Sequence, residues 1–136
     1  MVGYPEAFTD PSYRGQILVL TYPLVGNYGV PDDTEYESTL DGILKHFESQ
    51  DIHISGLIVS QYSKVPSHYL SKQSLSDWLK KKNIPALSGI DTRFLTRKLR
   101  KNGSIVGKLI CDGKDDAALA FSDPNLSNLV AQGNNL

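Results

Sequence analysis

Residues 3–31 read GYPEAFTDPSYRGQILVLTYPLVGNYGVP, and this stretch decides the fold of the chain's first part. It contains four of the seven prolines and four of the eleven glycines, placed around one apolar run, Ile17–Leu20. Proline restricts φ and glycine frees it, so the pattern predicts a buried strand between two stiff loops of defined shape. Loops at the ends of a core strand are where binding residues concentrate.

Length and composition predict one soluble domain in a reducing compartment. The chain has 136 residues, 40% hydrophobic and 21% charged, which is enough to bury a core. A net charge of −1 does not indicate binding to nucleic acid or to an anionic membrane, both of which favour basic proteins. The single cysteine, Cys111, excludes an internal disulfide, and neither a signal peptide nor a membrane span is recognisable. We therefore predict a cytoplasmic protein.

Alternating strand and helix patterns predict an α/β fold. Short apolar runs predict strands over Ile17–Tyr22, over Ile52–Ser60, for two to four residues within Ile84–Ile90, and over Ser104–Cys111. Apolar spacing and capping residues predict helices over Thr39–Phe47, after Ser74 as far as Lys82, after Asp91 as far as Asn102, and over Asp115–Phe121. The basic run within Arg93–Lys101 is interpreted as a solvated helix face rather than a phosphate-binding stripe.

No self-contained active site is recognisable, and no metal or cofactor site is predicted. Cys111 ends an apolar run and has no histidine near it in sequence. The three histidines, His46, His53 and His68, lack the spacing of a zinc site. Gly26–Gly29 lacks the spacing of a phosphate loop and predicts a turn with positive φ at Asn27 or Gly29. The paired carboxylates Asp32–Asp33 and Asp115–Asp116 are interpreted as solvated.

The remaining candidate is the segment Thr9–Tyr13, which reads T-D-P-S-Y. Asp and Ser beside proline hydrogen-bond to nearby backbone and so hold a tight turn. On residue patterns alone, Ser12 capping this turn is favoured. The alternative is that the Ser12 hydroxyl or N–H faces a small polar ligand just before the core strand.

A set of ordered motifs resembles one known family. The motifs are Gly3-Tyr4-Pro5-Glu6, Thr9-Asp10-Pro11-Ser12-Tyr13, Leu20-Thr21-Tyr22-Pro23, Gly26-Asn27-Tyr28-Gly29, Ile90-Asp91-Thr92-Arg93 and Asp123-Pro124-Asn125. Together they resemble the N-terminal domain of the carbamoyl-phosphate synthase small (glutamine amidotransferase) subunit, in the form found in eukaryotic multifunctional pyrimidine-biosynthesis proteins. The resemblance implies a three-layer β/β/α fold of the swivelling type. It also implies that Ser12 contacts glutamine, because a serine of that motif does so in the family.

The same resemblance implies a function and partners. A class I amidotransferase domain with a Cys-His-Glu triad releases ammonia from glutamine in this family. A synthetase (large) subunit or domain then forms carbamoyl phosphate from that ammonia, bicarbonate and ATP, for pyrimidine or arginine biosynthesis. The N-terminal domain docks to the synthetase part and borders the glutamine site. It has no catalytic residue of its own.

Two departures from the family pattern leave an alternative open. Strands expected upstream of Gly3 are missing, which predicts a domain over residues 1–130 that is truncated at its N-terminus, and residues 131–136 resemble a linker towards an absent amidotransferase domain. Cys111 does not lie in the nucleophile motif of that domain. The alternative is therefore a stand-alone protein-interaction module. A small hydrolase using Ser67 or Cys111 is disfavoured.

Overall fold

The computed structural model describes residues 3–32, 34, 44, 46–69, 71–110 and 121. Its elements follow one another as α1 (Tyr4–Thr9), a 3₁₀ turn (Pro11–Tyr13), β1 (Ile17–Leu20), β2 (Gly56–Val59), α2 (Leu75–Lys81), β3 (Ala86–Leu87) and α3 (Thr92–Asn102). The predicted α/β class is confirmed. The predicted boundary at residue 130 and the predicted helix over Asp115–Phe121 lie largely outside the described residues.

The three strands form one parallel sheet in the order β1-β2-β3. Ile17 pairs with Gly56, and Leu57 pairs with Ala86. Parallel neighbours need a crossover connection, and α2 lies in the connection from β2 to β3. The first three predicted strands are therefore confirmed, each somewhat shorter than its apolar run.

Two helices begin where their capping residues predict. The Ser74 side chain accepts a hydrogen bond from the Asp77 N–H, and the Asp91 side chain accepts one from the Phe94 N–H. Each bond satisfies a donor that the first helical turn leaves without an intrahelical partner. Gly103 ends α3 with a φ of 74°. Both helix predictions are confirmed.

Residues Tyr4–Thr9 form a helix, so the prediction of a loop there is wrong. Pro5 sits in the first turn, where its missing N–H breaks no hydrogen bond. Tyr4 and Phe8 are one helical turn apart, and both are buried. This burial stabilises a helix too short to persist in isolation.

The predicted strand over Ser104–Cys111 is wrong for residues 104–110, which contain no strand. An apolar run becomes a strand only when a neighbouring backbone pairs with it. Within the described residues, this segment instead leaves Ile105 and Val106 exposed, while the Leu109 side chain packs against Gly56 of β2.

Aromatic side chains join α1 and α2 in the core. The Phe8 and Trp78 rings stack with centroids 6.3 Å apart, and the Phe47 ring lies 5.5 Å from that of Trp78. Trp78 is 2% exposed. Most of the predicted helix Thr39–Phe47 lies outside the described residues, but Leu44 and Phe47 belong to this core.

Candidate functional site

The turn around Ser12 is held by the carboxylate of Asp10. Asp10 Oδ1 accepts a hydrogen bond from the Ser12 N–H at 2.8 Å and so caps the 3₁₀ turn that Pro11 begins. The pKa of Asp10 is lowered, first by the hydrogen bond from the Ser12 N–H and second by the hydrogen bond from the Ser12 hydroxyl. The cap is therefore Asp10, and the interpretation of Ser12 as the capping residue is wrong.

This turn is tied to the amino end of the sheet. The Gly15 N–H donates to the His53 carbonyl at 3.2 Å, and the Ser55 N–H donates to the Gln16 carbonyl at 2.8 Å. These bonds continue the β1–β2 pairing towards the turn. Gln16 Nε2 also donates to the Ser12 carbonyl at 3.3 Å. The Ser12 backbone is thus restrained on both sides.

Ser12 itself is exposed. Its N–H and carbonyl have partners within the turn, and its hydroxyl also interacts with the Asp10 carboxylate, so it is the exposed hydroxyl oxygen that Ser12 can offer to a ligand. A hydroxyl both donates and accepts, which suits a small polar molecule with carboxylate, amino or amide groups. The carboxylate that interacts with this hydroxyl, Asp10, also accepts the Ser12 N–H and holds the turn, and its lowered pKa makes it a weak base for activating a nucleophile.

His53 lies behind the turn and is buried. Arg14 Nη1 lies 3.4 Å from His53 Nδ1, and Ser49 Oγ lies 2.9 Å from His53 Nε2. A guanidinium group only donates, so Nδ1 accepts and the proton of the neutral ring resides on Nε2. The Nε2–H then donates to Ser49 Oγ. Burial first, and the Arg14 charge second, lower the pKa of His53.

The Ser49–His53 pair resembles a nucleophile and its base only in distance. Ser49 Oγ donates to the Thr9 carbonyl at 2.7 Å and receives the imidazole proton, so the ring cannot also remove the hydroxyl proton. The Glu48 N–H donates to Thr9 Oγ1 at 3.0 Å. These bonds attach the 48–53 segment to the end of α1. The network is structural.

The loop at Gly26–Gly29 is a packed turn. Gly26 and Gly29 have φ values of 100° and 68°, whereas Asn27 does not have a positive φ. The predicted positive φ is therefore at Gly29 and not at Asn27. The Tyr4 hydroxyl donates to the Gly29 carbonyl at 2.6 Å, and the Ser67 N–H donates to the Asn27 carbonyl at 2.8 Å. A Cβ at position 29 would collide with the Ser71 side chain.

Only some of the residues that were rejected as metal ligands or catalytic groups lie in the described part of the chain. Among the described residues, no group of three His, Cys, Asp or Glu side chains could hold a metal ion. Cys111, Asp33, Asp115 and Asp116 lie outside the described residues. A cavity of about 60 Å³, between Trp78, Ser49 and Lys82, is large enough for water, and Ser12 does not line it.

The sequence marked Ser12 as a candidate and Asp10 as one of the residues that hold its turn, but it gave no signal for Arg14 and His53. Asp10 was visible as part of the D-P-S motif, since Asp two residues before a turn N–H is the ordinary Asx-turn pattern. Arg14 and His53 had no such signal. They are 39 residues apart in sequence, and only the β1–β2 pairing brings them together.

The described fold and site define a small α/β domain that presents an exposed serine on a restrained turn. Comparison with protein families identifies it further. A family model described as "Carbamoyl-phosphate synthase small chain, CPSase domain" matches residues 1–109. The chain belongs to this family, and the resemblance seen in the sequence is confirmed.

Curated relatives match nearly the whole chain. It is 54% identical over 132 residues to the multifunctional protein CAD of Squalus acanthias, covering 97% of this chain and 6% of the relative. It is 49% identical to the multifunctional protein URA2 of Saccharomyces cerevisiae, covering 97% and 7%. It is 46% identical to the carbamoyl phosphate synthase arginine-specific small chain of Eremothecium gossypii, covering 97% and 32%. The chain thus spans at most about a third of the length of these relatives.

Proposed function

We propose that this chain is the N-terminal domain of the glutaminase part of a glutamine-dependent carbamoyl-phosphate synthase. It completes the glutamine site next to an amidotransferase domain and docks to the synthetase part. The observation that carries the proposal is the exposed Ser12 hydroxyl on a turn held by Asp10, in a chain that belongs to this family. Family membership over most of the chain also disfavours the stand-alone interaction module.

In this proposal the chain binds and positions but does not break bonds. The amidotransferase domain hydrolyses glutamine with its own cysteine, histidine and glutamate. The Ser12 hydroxyl contributes a hydrogen bond to glutamine, and the Asp10 cap keeps that hydroxyl in place before the ligand arrives. Preorganisation of this kind lowers the entropy lost on binding. Ammonia then passes to the synthetase part, which uses ATP and bicarbonate.

The finer features of the prediction belong to the same proposal. These are the three-layer β/β/α arrangement of the swivelling type, a domain over residues 1–130, and a cytoplasmic location. The parallel three-stranded sheet with helices supports the first of them at the level of an α/β domain. Among the described residues, no helix is long and apolar enough to span a membrane. The pathway served is either pyrimidine or arginine synthesis.

The test is reassembly of the enzyme from this chain and the matching amidotransferase and synthetase parts of the same source organism. The chain should co-purify with both parts and should raise glutamine-dependent synthesis of carbamoyl phosphate above that of the two parts alone. Ammonia-dependent synthesis serves as the control for an intact synthetase. If the chain associates with neither part and leaves glutamine use unchanged, the proposal fails.

A further inference from the structure

Helix α3 carries an exposed basic face. Five of its eleven residues are Lys or Arg, and none is acidic. At about 100° per residue, these cations share one broad side of the helix with Phe94. We call this set of exposed residues the basic face: Arg93, Phe94, Arg97, Lys98, Arg100 and Lys101.

The opposite side of α3 fixes which way the basic face points. Thr92 is 2% exposed, and Leu95 and Leu99 are half-buried on the same side. The helix packs with this side against β1. The Thr96 hydroxyl donates to the Thr92 carbonyl at 2.7 Å, which satisfies it within the helix. The basic face is therefore directed away from the sheet.

The charges of the basic face are not neutralised within the described part of the chain. The ion pair found there joins Lys82 to Asp51, away from α3. Asp91, the nearest acid in sequence, accepts a hydrogen bond from the Phe94 N–H at the start of the helix. None of the five cations has a hydrogen bond or an ion pair with another described residue.

Phe94 distinguishes this face from an ordinary solvated one. Its side chain is 61% exposed. Arg97 and Lys98 follow it at the three- and four-residue spacings that bring side chains together on a helix, and Lys101 lies on the same face two turns away. An exposed phenyl ring among arginines matches the composition of interface centres, which are enriched in aromatic residues and arginine.

We infer that the basic face is a docking surface for an acidic surface of a protein partner, with an apolar pocket that receives Phe94. The inference rests on the proposed function, in which the chain docks to a synthetase part. The partner's acidic side chains would pair with the arginines, and Phe94 would bury its ring at the centre of the contact.

Two other kinds of partner fit the structure less well. A helix that binds a membrane surface directs its apolar side at lipid, but the apolar side of α3 faces β1. Nucleic acid favours a chain with excess positive charge, but this chain has a net charge of −1. The compensating acids elsewhere would repel a long phosphate backbone, whereas a protein partner can present its acids to α3 alone.

The test compares two variants of the whole chain with matched controls. Arg93→Glu/Arg97→Glu reverses two charges of the basic face. Arg93 lies in the first turn, where an acidic residue favours the helix, and Arg97 is exposed in mid-helix, so folding should be retained. Lys64→Glu/Lys80→Glu makes the same change in net charge at exposed sites outside α3. Phe94→Ala is matched by Tyr69→Ala, which removes an aromatic side chain that is 86% exposed and lies outside α3. Circular dichroism and melting temperature confirm that each variant folds.

Affinity for the synthetase part is measured by titration calorimetry at about 50 mM and about 300 mM salt. We expect both α3 variants to weaken binding by about tenfold or more and the controls by less than about twofold. The α3 charge reversal should also reduce the salt dependence. Equal weakening by the control pair would show an effect of net charge alone and would overturn the inference.

The remaining outcomes separate this inference from the proposed function. If the unmodified chain binds the synthetase part and both α3 variants bind equally well, the basic face is solvated and only the inference fails. If the unmodified chain does not bind at all, the proposed function fails with it. Loss of binding to phosphatidylserine vesicles or duplex DNA in the α3 variant, with protein binding unchanged, would assign the face to that other ligand.

Discussion

Arg14 Nη1 lies 3.4 Å from His53 Nδ1 and thereby sets the protonation state of a buried histidine. The guanidinium can only donate, so the imidazole must be neutral and must accept at Nδ1. Protonation of His53 would place two like charges face to face. Asp51 and Asp10 oppose this effect, but burial and Arg14 outweigh them. The contact joins the loop before β1 to the segment before β2.

Stability should therefore fall as the solution is acidified from about pH 7.5 to about pH 5.5. The pKa of His53 is lower in the folded chain than in the unfolded chain, so the unfolded chain takes up the proton at a higher pH. Above the unfolded pKa, near 6.5, both states are neutral and the effect vanishes. Urea unfolding across this range measures the slope. His53→Gln should reduce this slope. A slope unchanged by His53→Gln would contradict the assigned Arg14–His53 contact.

Asp10→Ala should loosen the Ser12 turn and lower the free energy of unfolding by about 0.5–2 kcal/mol, as the loss of a capping side chain does. In the assembled enzyme it should also raise KM for glutamine, because the Ser12 hydroxyl loses its support. Asp32→Ala is the matched control: Asp32 Oδ1 accepts from the Thr34 N–H at 2.9 Å in a similar turn elsewhere. The same rise in KM in both variants would argue against a role for the Asp10 turn.

Ser12→Phe should impair the use of glutamine while sparing synthesis from ammonia. Losing one hydrogen bond and filling the site should lower kcat/KM for glutamine by about tenfold or more. Steady-state assays with each nitrogen source measure the two activities. Ser67→Phe, at another exposed loop serine, is the control. Equal loss of both activities would mean that the Ser12 substitution only damages folding.

Trp78→Ala should destabilise the domain by about 3–5 kcal/mol, because it leaves a cavity between Phe8 and Phe47 in the core. Chemical denaturation of the isolated chain measures the change. Tyr69→Ala, at a side chain 86% exposed, should change stability by less than about 0.5 kcal/mol. A loss from Trp78→Ala within that surface range would contradict a buried role for the indole.

Elements with a strong local signal were predictable from the sequence. The strand at Ile17–Leu20 follows from an apolar run between breakers, and the helices after Ser74 and Asp91 follow from capping residues and helical spacing. Helix α1 was missed because Pro5 within it, with Gly3 before it and Pro11 after it, indicates a loop, and its stability comes from the burial of Tyr4 and Phe8. Residues 104–110 have the composition of a strand but, within the described part of the chain, no backbone pairs with them.

The sequence established the α/β class and the family, and it marked Ser12 as a candidate ligand contact, because these depend on local patterns and ordered motifs. Only the tertiary structure decided what supports Ser12 and what surrounds it. Asp10, rather than Ser12, caps the turn, and Arg14 meets His53 across the β1–β2 pairing. It also decided that the cations of α3 face outward around Phe94. Capping and periodicity act within a few residues, whereas burial and ring protonation depend on neighbours that only folding brings together.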